Sequence, residues 1–420
     1  MRGLKSLGIL VAVMAGLGAY IYFVESKKPS EADAEARPKV FDVAAEKIVE
    51  LTVRSEENRT VLRKSDGRWQ VVEPVVTAAD ETEVSSITSS IASLENVRVV
   101  EETPSNLAEF GLAEPRVEIG FRLDGEKDMR HLRVGDKTAT QGEVYASRGG
   151  KQVFLIPSYV ESSFAKTTFE LRDKSILTFP RDKVDRLVVQ GEGASKSVAK
   201  AGSEWKLTEP VSAPADYGTV EGLIGQLETA RMTAITALEA GDLKPYGLNE
   251  PAVSVTLGTG SSQATLLVGN KADDAGYYAK DASRTLVFTI ENRLVDELKK
   301  PAGDLRNKDV FAFRPFNASA LDVAKGTDVL AFAKSKEGTG ENATEKWRRL
   351  KPTPAEADQV KVDDVLSKLS NLRVEEFNDQ PEVLKAFQAP VLEVLVKFDE
   401  ARKQEKVTFG RSGSDVYASI

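Results

Sequence analysis

Three carboxylates recur at matched places in the chain. Asp80, Asp216 and Asp358 each lie eleven residues after a tryptophan (Trp69, Trp205, Trp347) and six after a proline (Pro74, Pro210, Pro352). Carboxylates held in a fixed frame can do acid–base work, and tryptophans can stack on sugars. The spacing favours a structural use for both. An amphipathic helix pattern follows each aspartate, which places the carboxylate to accept from the free N–H groups of the helix start. The tryptophan falls on a strand beside that turn, where it packs. Three equivalent active sites in one chain would be unusual, whereas an internal repeat needs its framework residues in every copy.

Other groups offer less. His131 is the only histidine, on a strand whose polar face it shares with Arg133. A Ser–His–Asp arrangement would need partners brought in by folding, and zinc with one histidine and no cysteine is disfavoured. The absence of cysteine excludes disulfides and thiolate nucleophiles. Asp273, Asp274 and Asp281 cluster near a glycine turn, but no D-x-[DN]-x-[DN]-G calcium loop is present. There is no G-x-x-x-x-G-K-[ST] phosphate loop. Asn58, Asn317 and Asn342 begin chance N-x-[ST] sequons. A net charge of −8 argues against nucleic acid, which calls for a basic face. No residue is assigned a catalytic, cofactor-binding or metal-binding role.

The elements around these residues repeat. Val84, Ile87, Ile91 and Leu94 make the first helical stripe, Val220, Leu223 and Leu227 the second, and Val362, Val365, Leu369 and Leu372 the third. A corner follows, Phe110-Gly111-Leu112-Ala113-Glu114-Pro115 and Tyr246-Gly247-Leu248-Asn249-Glu250-Pro251, reduced to Phe387-Gln388-Ala389-Pro390 in the third copy. Period-2 segments come next, such as Val117–Phe121, Val253–Leu257 and Leu392–Val396, which predict antiparallel strands with one buried face. Two copies close with Leu171-Arg172-Asp173-Lys174 and Leu305-Arg306-Asn307-Lys308. The third stops at Tyr417-Ala418-Ser419-Ile420. With Ile420 as the natural terminus, its sheet is expected to lack a strand that its siblings possess, and a partner or a second copy would add one beside Val416–Ile420 by β-augmentation; the alternatives are a truncated sequence or a local rearrangement that covers the edge.

At the other end, Ser6 to Val24 is uncharged and long enough to span a bilayer as a helix. Arg2 and Lys5 precede it, which orients the N-terminus to the cytoplasm. Glu25 to Lys39 is polar and reads as a tether. The expected fold is therefore α+β: an N-terminal transmembrane helix followed by three tandem modules of antiparallel sheet plus packed helix, the third incomplete. The anchor takes residues 1–25 and the linker 26–39. The modules take 40–175, 176–311 and 312–420, each of roughly six strands.

The W-x4-P and [FY]-G-L-x-E-P modules, with L-R-[DN]-K and the valine–glycine–acid or –amide strand ends, resemble the bacterial family called domain of unknown function 4340. The resemblance covers nearly all of the chain after the linker, and the third module departs from it most. It implies a membrane-anchored, extracytoplasmic accessory or scaffold of an ABC-transporter-type complex, including those of gliding motility. Its partners would be the bacterial inner membrane and transporter subunits, with the repeats facing the periplasm or cell exterior. It brings no catalytic residues and no cofactor, so a non-enzyme is expected. The rival expectations are a cell-envelope module that binds glycan or protein without a transporter, and third an uncharacterised hydrolase.

Overall fold

The computed structural model describes residues 37–55, 58–191, 193–274, 276–337, 344–378, 380 and 383–420. It divides into two units, one ending at Lys174 and one running from Ser175 to Ile420. In the first, a meander of β1 (Ile48–Ser55), β2 (Asn58–Ser65), β3 (Arg68–Glu73) and β4 (Thr77–Ala78) leads into helix α1 (Glu81–Ser93). Five strands follow: β5 (Arg98–Glu101), β6 (Val117–Leu123), β7 (Arg130–Lys137), β8 (Glu143–Ser147) and β9 (Val153–Pro157). They form one nine-stranded sheet in the order β4-β3-β2-β1-β6-β7-β8-β9-β5. Every pairing is antiparallel.

The second unit holds two sheets. The first of them contains β10 (Arg186–Gly191), β11 (Ala194–Ala201), β12 (Glu204–Glu209), β13 (Ala213–Pro214), β14 (Ala234–Ala237), β15 (Val253–Thr259), β16 (Ser262–Lys271), β17 (Gly276–Asp281) and β18 (Val287–Glu291). Helix α2 (Tyr217–Thr229) follows β13, and α3 (Asn292–Lys299) follows β18. The strand order repeats that of the first sheet, β13-β12-β11-β10-β15-β16-β17-β18-β14. The other sheet has β19 (Ala318–Lys325), β20 (Asp328–Glu337), β21 (Thr344–Lys351), β22 (Ala355–Glu356), β23 (Leu392–Phe398), β24 (Lys403–Ser412) and β25 (Asp415–Ser419), with α4 (Gln359–Ser370) after β22. Its order is β22-β21-β20-β19-β23-β24-β25. Counterparts of β9 and β5 are missing from it among the described residues.

Alternation builds each core. Leu51 and Val53 on β1, Ile119 and Phe121 on β6, and Leu132 and Val134 on β7 turn to one face, where Val84, Ile87 and Ile91 of α1 meet them. Trp69 joins that cluster, as Trp205 and Trp347 join theirs. The repeated prolines follow cis peptide bonds at Glu73-Pro74, Glu209-Pro210 and Lys351-Pro352. The valine–glycine strand ends have a packing reason. A Cβ on Gly135 would stand 2.1 Å from the Phe110 carbonyl oxygen, and one on Gly269 2.0 Å from that of Tyr246. The F-G-L and Y-G-L corners therefore lie directly on those strands.

Two expectations are corrected here. The fold is mostly β rather than α+β, with 45% strand against 22% helix in three large antiparallel sheets. The helical periodicity was real, but the hairpins outnumber it: the first two sheets have nine strands, not six. The transmembrane helix and the inner-membrane, periplasm-facing location are not sustained either. No described helix is long and apolar enough to cross a membrane, and Ser6–Val24 lies outside the described residues, as does most of the tether.

Trp205 is almost fully buried and its indole Nε1 donates to Glu221 Oε1 at 2.9 Å. Trp205→Ala should therefore destabilise the second unit by about 3–5 kcal/mol, measured as a shifted denaturant midpoint. An unchanged midpoint would move the tryptophan out of the structural class.

Candidate functional site

The repeated carboxylates lie where the helices begin, and each acts as a cap. Asp80 Oδ1 accepts from the amides of Thr82 and Glu83 at 3.1 and 3.2 Å. Asp216 accepts from Thr219 at 2.8 Å and Asp358 from Lys361 at 3.2 Å. The residue after the cap can reach back to the tryptophan strand: Trp69 N donates to Glu81 Oε1 and Trp347 N to Gln359 Oε1, both at 2.7 Å. Burial opposes ionisation of Asp80. The Lys174 ammonium at 3.0 Å and the two amides outweigh it and hold its pKa below the usual carboxylate range.

The L-R-[DN]-K segments close this turn. Asp80 N donates to Leu171 O and Asp173 N to Ala78 O, both at 2.9 Å. In the next module Asp216 N donates to Leu305 O at 2.8 Å and Asn307 N to Pro214 O at 2.9 Å. The motif thus leaves a short helix and makes one isolated β-bridge beside the cap, Arg172 to Ala79 and Arg306 to Ala215.

The remaining sequence candidates are also accounted for locally. His131 Nδ1 is 3.8 Å from Glu118 Oε1, which Arg133 Nε approaches at 3.3 Å, a cross-strand cluster on a half-exposed face. Asp281 organises a turn, accepting from Ser283 N at 2.9 Å and pairing with Arg284 at 3.2 Å. Asp274 pairs with Lys271 at 3.6 Å. Among the described residues no group of three acidic, histidine or cysteine side chains could hold a metal.

Two features lie apart from the repeated turn, and the first of them escaped sequence reasoning. One is Lys196, a buried lysine on β11 whose ammonium donates to Lys300 O at the end of α3. It lines a cavity of about 460 Å³ with Asp216, Lys300, Asp304, Lys308 and Arg373. Burial pushes its pKa down to about 8, against the pull of Asp304. The carbonyl end of a helix attracts a cation, so this lysine finishes α3. The acids around it are already paired, Glu297 with Lys300 at 2.7 Å, Asp304 with Lys308 at 3.3 Å and Asp216 with Arg373 at 3.4 Å.

The other is an open trough on the third module. In the first two modules a closing segment runs from β9 or β18, past the main helix, to the cap turn. Ile156, Phe164 and Leu171 in one and Ile290, Val295, Leu298 and Leu305 in the other are buried by it. Nothing covers the same inward positions of the third module among the described residues. Leu330 is 46% exposed where Thr60 and Lys196 are 0% and 8%. Val365 is 39% exposed where Ile87 and Leu223 are 0% and 6%. Val416 is 62% exposed where Val144 is 0%, and Leu372 is 37% where Leu94 is 2%. The cap aspartate opens too: the Asp358 side chain is 54% exposed, against 23% for Asp80 and 27% for Asp216. Leu330, Val365, Leu372 and Val416 are thus core positions without their cover.

A family model for a domain of unknown function (DUF4340) matches the chain twice, over residues 69–204 and 205–389. This chain is a DUF4340 protein. Both matches begin on a tryptophan; the first ends after the β10–β11 hairpin, and the second runs on through β19 to β22 and α4 of the third module. The second match stops before β23, leaving β23 to β25 of the open module outside it. No curated protein matches the chain.

Two outcomes follow from this geometry. Folded Lys196 gives up its proton from about pH 8, whereas the unfolded lysine keeps it to 10.5. The unfolded state therefore binds more protons in that window, and stability rises with pH across it. Relative to Lys196→Met, the wild type should gain stability as pH rises between those limits, read from urea midpoints; parallel profiles would refute the shift. Val365→Lys should cost less than about 1 kcal/mol, as exposed changes do, while Leu223→Lys at the matched buried position should unfold its module. Equal loss in both would mean the trough is closed.

Proposed function

We propose that this DUF4340 protein is a non-enzymatic accessory or scaffold within an ABC-transporter-type complex. The repeated carboxylates and tryptophans support a non-enzymatic role, since capping and core packing engage them. The buried indoles also disfavour stacking on glycan. The transporter part comes from the family resemblance.

The test is quantitative co-purification from the native host. Transporter subunits should accompany the wild type. Wild type without transporter subunits would overturn the transporter assignment.

A further inference from the structure

We propose that the cavity beside Lys196 binds a small molecule through a phosphate-type dianion, a role independent of the transporter assignment. Its volume of about 460 Å³ falls in the range of small-molecule sites, about 300–1,000 Å³. Five basic side chains line it against three acidic ones, in a chain whose net charge is −8. The positive wall is therefore a local feature that runs against the charge of the whole. The three acids are matched by other cations, Glu297 by Lys300, Asp304 by Lys308 and Asp216 by Arg373. Lys196 is different. Among the described residues its ammonium has one hydrogen-bond partner, the Lys300 carbonyl oxygen. An ammonium carries three donors, and donors left unused at a buried position cost free energy. An anion in the cavity would satisfy both the donors and the charge.

The first module shows what this position needs for structure alone. Thr60, matched to Lys196, is fully buried, and its Oγ1 lies 2.7 Å from that of Thr168 on the closing segment. Two neutral hydroxyls seal the contact. The second module has Lys196 and Ala302 at those places, so the sealing pair is gone and a cation lines open volume. Burying an ammonium is the costlier choice. The wall also selects the anion. The Arg373 fork is engaged by Asp216 and Asp309, at 3.4 and 3.3 Å, and the Arg306 guanidinium lies 3.6 Å from the centre of the Phe377 ring. Lys196 on β11, Lys300 after α3 and Lys308 beyond the closing turn are point donors, without the planar fork that grips a carboxylate by both oxygens. Point charges from separate parts of the chain suit a tetrahedral dianion. Burial loosens the Lys196 proton to a pKa of about 8, and a dianion beside it would strengthen that hold.

Isothermal titration of inorganic phosphate into the full-length protein, in low salt near neutral pH, should show one saturable site. Lys196→Met should weaken it roughly tenfold or more, at a urea midpoint that shows the variant folded. Asp304→Asn removes an acid from the wall and should tighten binding about threefold. Malonate, a flat dicarboxylate, should bind roughly tenfold more weakly than phosphate. The Asp304→Asn and malonate measurements do not depend on how well Lys196→Met folds. Titrations without a saturable phosphate site, or with one that Lys196→Met and Asp304→Asn leave unchanged, overturn the site and return Lys196 to a purely structural role. Malonate bound as tightly as phosphate overturns the choice of anion.

Discussion

Between the tryptophan strand and the main helix the chain makes one turn, and three elements of each complete module meet there. The aspartate satisfies the first free amides of the helix, which would otherwise go unpaired at a partly buried end. The residue before it is tied back to the tryptophan strand, by Ala79 N to Trp69 O at 3.1 Å and Ala215 N to Trp205 O at 3.0 Å. The L-R-[DN]-K segment then adds its own backbone bonds on the outer side. The helix can lie across the sheet only because this turn fixes where it starts and which stripe faces inward. The conserved pattern of the repeat within this chain is therefore a joint, assembled from residues far apart in sequence.

The same joint explains how the modules differ. Where the closing segment is present, the aspartate is screened and the apolar stripe is sealed from end to end. In the third module the cap itself survives, with Gln359 Nε2 donating to Trp347 O at 2.9 Å in place of the lost outer bonds. Strand and helix thus remain in position while one side of their shared core stays open. Residues Glu376 to Asn378, in the place of the sheet-edge strand β5, take no strand conformation. Among the described residues they have no β9 counterpart to pair with.

Much of the framework was legible from residue types and spacing. The period-2 segments became strands, the i, i+3, i+7 stripes became helices, and Asp80, Asp216 and Asp358 became caps, because each of those depends on neighbours within a few residues. The glycine corners were legible for the same reason: Gly111 and Gly247 end their turns in the left-handed conformation, at φ of +67° and +68°. The balance of strand to helix was misjudged, since short hairpin strands such as β4 and β13 carry almost no periodic signal. Lys196 was invisible as well, because nothing in its local sequence distinguishes a buried lysine from the surface lysines around it.

The sequence by itself determined the repeat, the kind of element in each place and the residues that start and stop them, all consequences of local backbone and side-chain preference. Only the tertiary structure decided that β9 inserts between β8 and β5, that the closing segment crosses the helix to the cap turn, and that Lys196 sits at the end of α3. It alone decided that Val365 is exposed while Leu223, at the matched place in a near-identical stripe, is sealed. Burial is a property of what packs on a residue from elsewhere in the chain, and the stripe's own pattern does not record it.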